Sequence, residues 1–300
     1  MVKENMMNII GKYRNGNYVV SLYSDGTKVR ETKEDEFIPA FSECCDVKIT
    51  DKCDGGCAFC YEGCTASGRH GDLNAEFLNH LHPYTELAIN GNDLTHPDLI
   101  PFLKRMKDQK VIVSMTVNQK HFERNYDLIK KMSTKGWIYG LGISLTEATE
   151  EFIKLVQSIP NSVIHVINGI ITPEEVKLLS DNNLKMLILG YKRLRRGEEY
   201  YTKEEENILK NQQWMKDNIG DIINHFEVVS FDNLSIRQLD VRRLLTEEEW
   251  EEFFMGEDSE FTFYIDLVEK KFGKNSLATE RFDLMDNIDD MFNHIRYKKG

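Results

Sequence analysis

Three cysteines stand at C-x3-C-x2-C spacing in Cys53-Asp54-Gly55-Gly56-Cys57-Ala58-Phe59-Cys60, and all six cysteines of the chain fall between residues 44 and 64. Three thiolates on one short loop can hold three corners of a metal centre, with a fourth position open or filled from elsewhere. Thiolates select zinc, copper(I) or iron–sulfur clusters. Structural zinc closes its tetrahedron, usually with paired knuckles or a Cys2His2 set. No second knuckle follows here, although Cys64 or His70 could supply a fourth ligand. Gly55-Gly56 lets the backbone turn tightly around something bulky, which suits a cluster better. Cys44, Cys45 and Cys64 read as small core residues, the alternatives being a second metal or action on substrate.

A short strand-like run, residues 46–50, leads directly into this loop. From there short apolar runs alternate with longer amphipathic stretches. The pattern predicts strands over 47–50, 86–90, 111–117, 138–144, 163–167 and 185–189, with helices near 74–81, 97–108, 119–133, 148–159 and 173–182. Thr172-Pro173-Glu174-Glu175 is a strong helix start, with a capping Thr, Pro at the first position and acids in the first turn. Alternation at this spacing argues for parallel βα units, either a doubly wound sheet or an incomplete barrel. In both, chemistry sits at the carboxyl ends of the strands, where the cysteine loop falls.

Ahead of this series, 17–32 reads as a β-hairpin around the turn Ser24-Asp25-Gly26. Behind it come a long polar helix over 203–223, a strand over 227–231, a short helix opened by Thr246, and a strand-like alternation over 261–268. The tail beyond Lys274 reads as polar and irregular. The expected organisation is an N-terminal hairpin extension (1–43), a βα domain (44–231) and an α+β C-terminal extension (232–300), the last a candidate substrate cover.

The composition, 41% hydrophobic and 29% charged over 300 residues, is that of a globular protein with a sizeable core. The formal net charge of -12 argues against a nucleic-acid partner, because phosphate neutralisation supplies most of such affinity. No apolar stretch approaches the roughly 20 residues of a membrane span, and residues 1–10 lack a signal-peptide core. The expected compartment is the cytoplasm, where clustered cysteines serve metals or redox chemistry rather than disulfides.

The cysteine segment resembles the cluster loop of the radical S-adenosylmethionine (SAM) superfamily, whose C-x3-C-x2-C signature carries an aromatic before the third cysteine, matched by Phe59. The resemblance covers about residues 44–231 and implies a partial (β/α)6 TIM-type barrel. It implies a [4Fe–4S] cluster on Cys53, Cys57 and Cys60, with SAM chelating the fourth iron and Phe59 packing near the adenine. Asn90-Gly91-Asn92-Asp93 follows the second strand, where the family carries Gly-Gly-Glu-Pro; Asn90 replaces a Gly, and Asn92-Asp93 replaces Glu-Pro. That motif meets the SAM amino group in the family. By position, Asn118 and Ser144, ending the third and fourth strands, correspond to groups that reach the SAM carboxylate or ribose. Asn168-Gly169-Ile170 and Leu189-Gly190-Tyr191 correspond to segments on the adenine.

The implied activity is reductive cleavage of SAM to methionine and a 5′-deoxyadenosyl radical, which abstracts hydrogen from an unidentified substrate. It calls for an electron donor such as a flavodoxin or ferredoxin. Peptide or protein, nucleotide and small metabolite all stay open as substrates. No cysteine follows Cys64, which counts against the C-terminal auxiliary clusters of many peptide-maturing relatives, and no N-terminal stretch is long enough to hold a cobalamin. The opposing reading is a noncatalytic zinc- or iron–sulfur-binding protein with structural cysteines. Two further features have two readings each. The basic run 192–197 either grips an anionic substrate group or pairs with the acidic tail, and His96 and His165 read as hydrogen-bonded structure rather than catalysis.

Overall fold

The computed structural model describes residues 8–297. The polar amino-terminal stretch read above lies, over residues 1–7, outside them. In chain order the main elements are β1 (Ile9–Asn15), β2 (Tyr18–Tyr23), β3 (Lys28–Glu31), β4 (Cys44–Lys48), β5 (Glu86–Asn92), α1 (Leu99–Asp108), β6 (Ile112–Asn118), α2 (Gln119–Arg124) and α3 (Tyr126–Thr134). They continue with β7 (Gly140–Ser144), α4 (Glu150–Gln157), β8 (Ser162–Ile167), α5 (Pro173–Leu179), β9 (Lys185–Leu189), α6 (Arg196–Ile222), β10 (Val228–Phe231) and α7 (Asn233–Leu239). Last come α8 (Glu247–Phe253), β11 (Thr262–Asp266), β12 (Lys271–Gly273), β13 (Phe282–Asp283) and α9 (Ile288–Tyr297).

β1–β3 form a small antiparallel sheet, so the expected hairpin gains a third strand. The main sheet has ten strands in the order β10-β9-β8-β7-β6-β5-β4-β11-β12-β13. From β10 to β11 every neighbouring pair is parallel. The order along β4 to β10 is sequential, without the reversal that defines a doubly wound sheet. No pairing between β10 and β13 closes the sheet among the described residues. Right-handed crossovers that always step the same way put their helices on one side of the sheet.

Residue alternation separates the two faces. Leu87, Ile89, Val113, Met115, Val117, Ile143, Ile164, Val166, Met186 and Ile188 are buried and pack with the apolar stripes of the helices, such as Leu99, Phe102, Leu103 and Met106 of α1. The intervening residues Ala88, Asn90, Ser114, Thr116, Asn118, Ser144 and His165 are only half-buried, and Asp46 is exposed. Parallel sheets are normally covered on both faces. This one has a dry face and an open, polar face.

Three expectations change. The helix expected over 74–81 is a short 3-10 turn, Glu76–Asn79; an Asp72 turn precedes it, with the Asn74 amide donating to Asp72 Oδ1 at 2.8 Å. The helix expected over 119–133 breaks at Asn125, whose Nδ2 donates to the His121 carbonyl and whose backbone leaves the helical region. The tail beyond Lys274 is not irregular. It contains β13 and α9, and α9 buries Ile288, Met291, Phe292 and Ile295, a stripe at helical spacing that closes the core beside Phe263.

The strand-like run at 261–268 is also placed by the tertiary fold: β11 pairs in parallel with β4, Val47 opposite Ile265. Replacing Phe292 with Ala should destabilise the protein by about 3–5 kcal/mol, the usual cost of emptying a packed aromatic site. Chemical denaturation monitored on the whole chain reads this. A loss near zero would mean that the C-terminal helix is not part of the main core.

Candidate metal centre

The cysteine loop begins a few residues past β4 on the carboxyl edge of the sheet. β4 is hydrogen-bonded to β5 on one side and β11 on the other, so its end is fixed laterally. Beyond the strand, side chains from β5 prolong the ladder. Asn90 Oδ1 accepts from the Ile49 amide at 2.7 Å, and its Nδ2 donates to the Thr50 carbonyl at 2.7 Å. Asn92 Nδ2 donates to the Thr50 and Lys52 carbonyls at 3.2 and 3.1 Å. Between them the β5–β6 register shifts, and a side chain at Gly91 would come within 2.9 Å of Met115 and Val117. Glycine is required there by close approach.

Lys48, buried at the strand end, pairs with Glu62 at 3.2 Å and Asp266 at 3.5 Å, joining the loop to β11. Burial opposes its charge, but the two carboxylates prevail and its pKa is raised.

A second tie comes from α2. Asp54, inside the cysteine motif, accepts from Arg124 through both oxygens, at 2.9 and 3.2 Å, and from His121 Nε2 at 2.6 Å. The Arg124 and His121 hydrogen bonds hold the Asp54 carboxyl well below the usual carboxylate range. The third tie is Asn118, which caps α2 by accepting from the Lys120 amide and turns its Nδ2 toward Cys57 Sγ at 3.6 Å. The fourth is the start of α6: Arg195 donates to the Glu62 carbonyl and Arg196 to the Cys64 carbonyl. Phe59 packs edge-on against Tyr200, ring centroids 5.8 Å apart, beside Tyr191 and Tyr201.

The three thiols of the motif differ in surroundings. Burial pushes Cys53 and Cys57 up. Cys60 is pulled down by its hydrogen bond with Cys64 and by Arg196. Among the described residues no three His, Cys, Asp or Glu side chains converge on a point that could hold a single metal ion. Thiolates of a cluster are not required to do so, since they bond different irons. The fit to a cluster rests on donor chemistry: three soft donors on one loop, and beside them the buried Nε of Arg196, which has no partner among the described residues.

Other sequence-derived positions fall as follows. Ser144 lies in register with Asn118 on one side and His165 on the other, at the same edge of the open face. Gly190 directly follows β9, but its amide donates to Asp232 Oδ1 at 2.9 Å, and a side chain there would lie 2.4 Å from Leu234. The next residue, Tyr191, exchanges hydrogen bonds with Gln238 through both its amide and its carbonyl. Cys44 and Cys45 sit at the opposite, amino-terminal end of β4, and Cys45 lies 3.2 Å from Ser42 Oγ; both thiols are raised by burial. They take no part in the loop.

His96 uses both ring nitrogens in backbone hydrogen bonds, as expected. His165 differs from expectation: its carbonyl accepts from the Leu145 amide, but its ring makes no hydrogen bond among the described residues, and desolvation of the ring lowers its pKa to about 4. It is a neutral imidazole facing the open side. The arginines of the basic run do not pair with the acidic tail; Lys192 donates to Ser276 Oγ of the C-terminal segment at 3.2 Å. Arg193 pairs with Glu198 over the Tyr201 ring, while Arg195 and Arg196 serve the cysteine loop. The clamp residues Asp54, His121 and Arg124 were missed from sequence, though a His and an Arg three apart just after a strand share a helix face.

No protein-family model matches the chain, and no curated protein does. Solved structures do. Crystal structures of SuiB from Streptococcus suis align with it over most of its length. The one bound to S-adenosylmethionine has a TM-score of 0.54 at 14% identity, covering 82% of this chain and 64% of SuiB. The chain has the SuiB fold. A further SuiB structure gives a TM-score of 0.52 at 13% identity, covering 84% of this chain and 64% of SuiB. The chain therefore spans just under two thirds of SuiB. Among the described residues no helix is long and apolar enough to cross a membrane.

Asp54→Ala should speed amide hydrogen exchange across residues 53–60 and leave β5 and β6 at wild-type protection, read by exchange mass spectrometry. Equal exchange in the loop would show the clamp to be idle. A depressed carboxyl contributes stability above its unfolded pKa and loses it only as pH falls through the folded value. Loop protection in the wild type should therefore persist as pH is lowered past about 4, the ordinary carboxylate value.

Proposed function

We propose that the protein is a radical SAM enzyme. The observation that carries the reading is the cysteine loop's position: C-x3-C-x2-C at the carboxyl edge of the first strand in a sequentially ordered parallel sheet. The fold shared with SuiB, solved with S-adenosylmethionine bound, supports it. On this reading the open sheet is a partial (β/α)6 TIM-type barrel, and its half-exposed polar face is the lumen.

Cys53, Cys57 and Cys60 would hold a [4Fe–4S] cluster. When bound, such a cluster together with SAM supplies a 5′-deoxyadenosyl radical that takes hydrogen from a substrate. The chain's own residues do the rest. Asp54, clamped to α2, keeps the loop from collapsing onto the sheet edge. Asn118 and Ser144 would exchange hydrogen bonds with the polar groups of SAM, a reading that their neighbouring positions in register support. Asn90, Gly91 and Asn92 hold the strand end open beside them, with Gly91 and Asn92 supplying backbone groups, since the Asn90 side chain is occupied by β4.

Phe59 would face the adenine. Gly190 belongs to the same set by position, with only its carbonyl free for the task, as its amide is held by Asp232. His165, neutral and unpaired on the open face, is suited to contact the substrate. Reduction calls for an electron donor such as a flavodoxin or ferredoxin, and the proposed compartment is cytoplasmic. The segment 232–300 is the proposed cover over the open face, with 44–231 as catalytic domain and 1–43 as extension. Its Ser276 reaches back to Lys192 at 3.2 Å. Peptide or protein, nucleotide and small metabolite are the candidate substrate classes.

Anaerobically reconstituted protein given dithionite and SAM should produce 5′-deoxyadenosine and methionine in slow uncoupled turnover, measured by liquid chromatography. Cys57→Ala should abolish both the bound iron and the product. Stoichiometric zinc that resists replacement, with no SAM cleavage, would favour a noncatalytic metal protein instead.

A further inference from the structure

Arg196 opens α6, and its side chain turns onto the cysteine loop. Its Nη2 donates to the Cys64 carbonyl at 3.0 Å, while its Nε is buried and without a partner among the described residues. Its positive charge works to lower the thiols of both Cys60 and Cys57, against the burial that raises them. The helix start lies against this loop: a side chain at Gly197 would clash with the Lys192 carbonyl of its own turn at 2.4 Å and touch the Phe59 carbonyl at 3.4 Å. Arg195 bends the chain into the helix with φ of 51° and anchors on the Glu62 carbonyl. Two consecutive arginines grip one loop, and of the two only Arg196 keeps a buried donor without a partner among the described residues.

A buried N–H with no acceptor bears its desolvation cost uncompensated. A thiolate sulfur at Cys60 would offer that acceptor, with a negative charge to match. The amino end of the long α6 adds partial positive charge on the same side. Hydrogen bonds to the sulfurs and the net charge around them set the reduction potential of an iron–sulfur cluster.

We propose that Arg196 is a positioning residue that donates to the Cys60 sulfur and stabilises the reduced, more negatively charged state of the cluster. The inference rests on the cluster reading above and deepens it, by assigning to this chain a residue that sets how readily an electron enters. Lys at this position would keep the charge and lose the planar fork that serves a carbonyl and a sulfur together.

Wild-type and Arg196→Met proteins are reconstituted anaerobically with iron and sulfide, and both elements are counted. The midpoint potential is then read by redox titration followed by electron paramagnetic resonance, without SAM. The expected result is equal iron content with reduction about tenfold less favourable in R196M, about 59 mV lower for one electron. Arg196→Lys should fall between the two. A fully loaded R196M with unchanged potential overturns the proposal. If R196M holds no cluster, the comparison passes to R196K, for which a potential equal to wild type overturns it. A wild type that binds no iron overturns the cluster reading itself, a result distinct from loaded clusters of equal potential.

Discussion

The lateral pairing of β4 is the constraint on which the rest of the molecule depends. With β5 on one side and β11 on the other, the strand cannot shift register without moving its apolar set, Cys45 and Val47, off the dry face. Everything that follows the strand inherits that position. Lys48 adds a buried charge at its end, answered by Glu62 from the loop and Asp266 from β11. Such a group adds little net stability. It penalises any arrangement in which loop and C-terminal strand do not meet, because the ammonium would then be left without a counter-charge.

The two faces of the sheet serve opposite ends. The helix-covered face has a continuous apolar core running from Ile49 through Val117 to Ile188. The other face forgoes that burial, keeping Ser114, Thr116, Asn118, Ser144 and His165 accessible. Stability and site are thereby divided between alternate residues of the same strands. The division is sharpest at the carboxyl edge, where Asn118, Ser144 and His165 stand in one transverse row.

The cysteine loop itself has almost no regular structure, so its order is borrowed. Asp54 is held by α2, Cys57 is approached by Asn118, Phe59 lies on the aromatic cluster at the start of α6, and Glu62 and Cys64 are gripped by two arginines. The ties come from α2, the end of β6 and the start of α6, all distant in sequence.

The parallel strands and most helices were legible in the sequence, because periodicity and capping are local: the Thr172 capping box and the strand at 185–189 appear where they were read. The stripe Ile288, Met291, Phe292, Ile295 is equally local, but the polar residues between its members mask it in the sequence. The thiol set and its chemistry also come from sequence alone, since donor type and spacing depend on a few adjacent residues. Strand order, the open face, β11 beside β4 and the Asp54 and Arg196 contacts come only from tertiary structure. They join residues separated, at β4 and β11, by more than two hundred positions, and nothing in local spacing says which partner a side chain will meet once the sheet has brought the edges together.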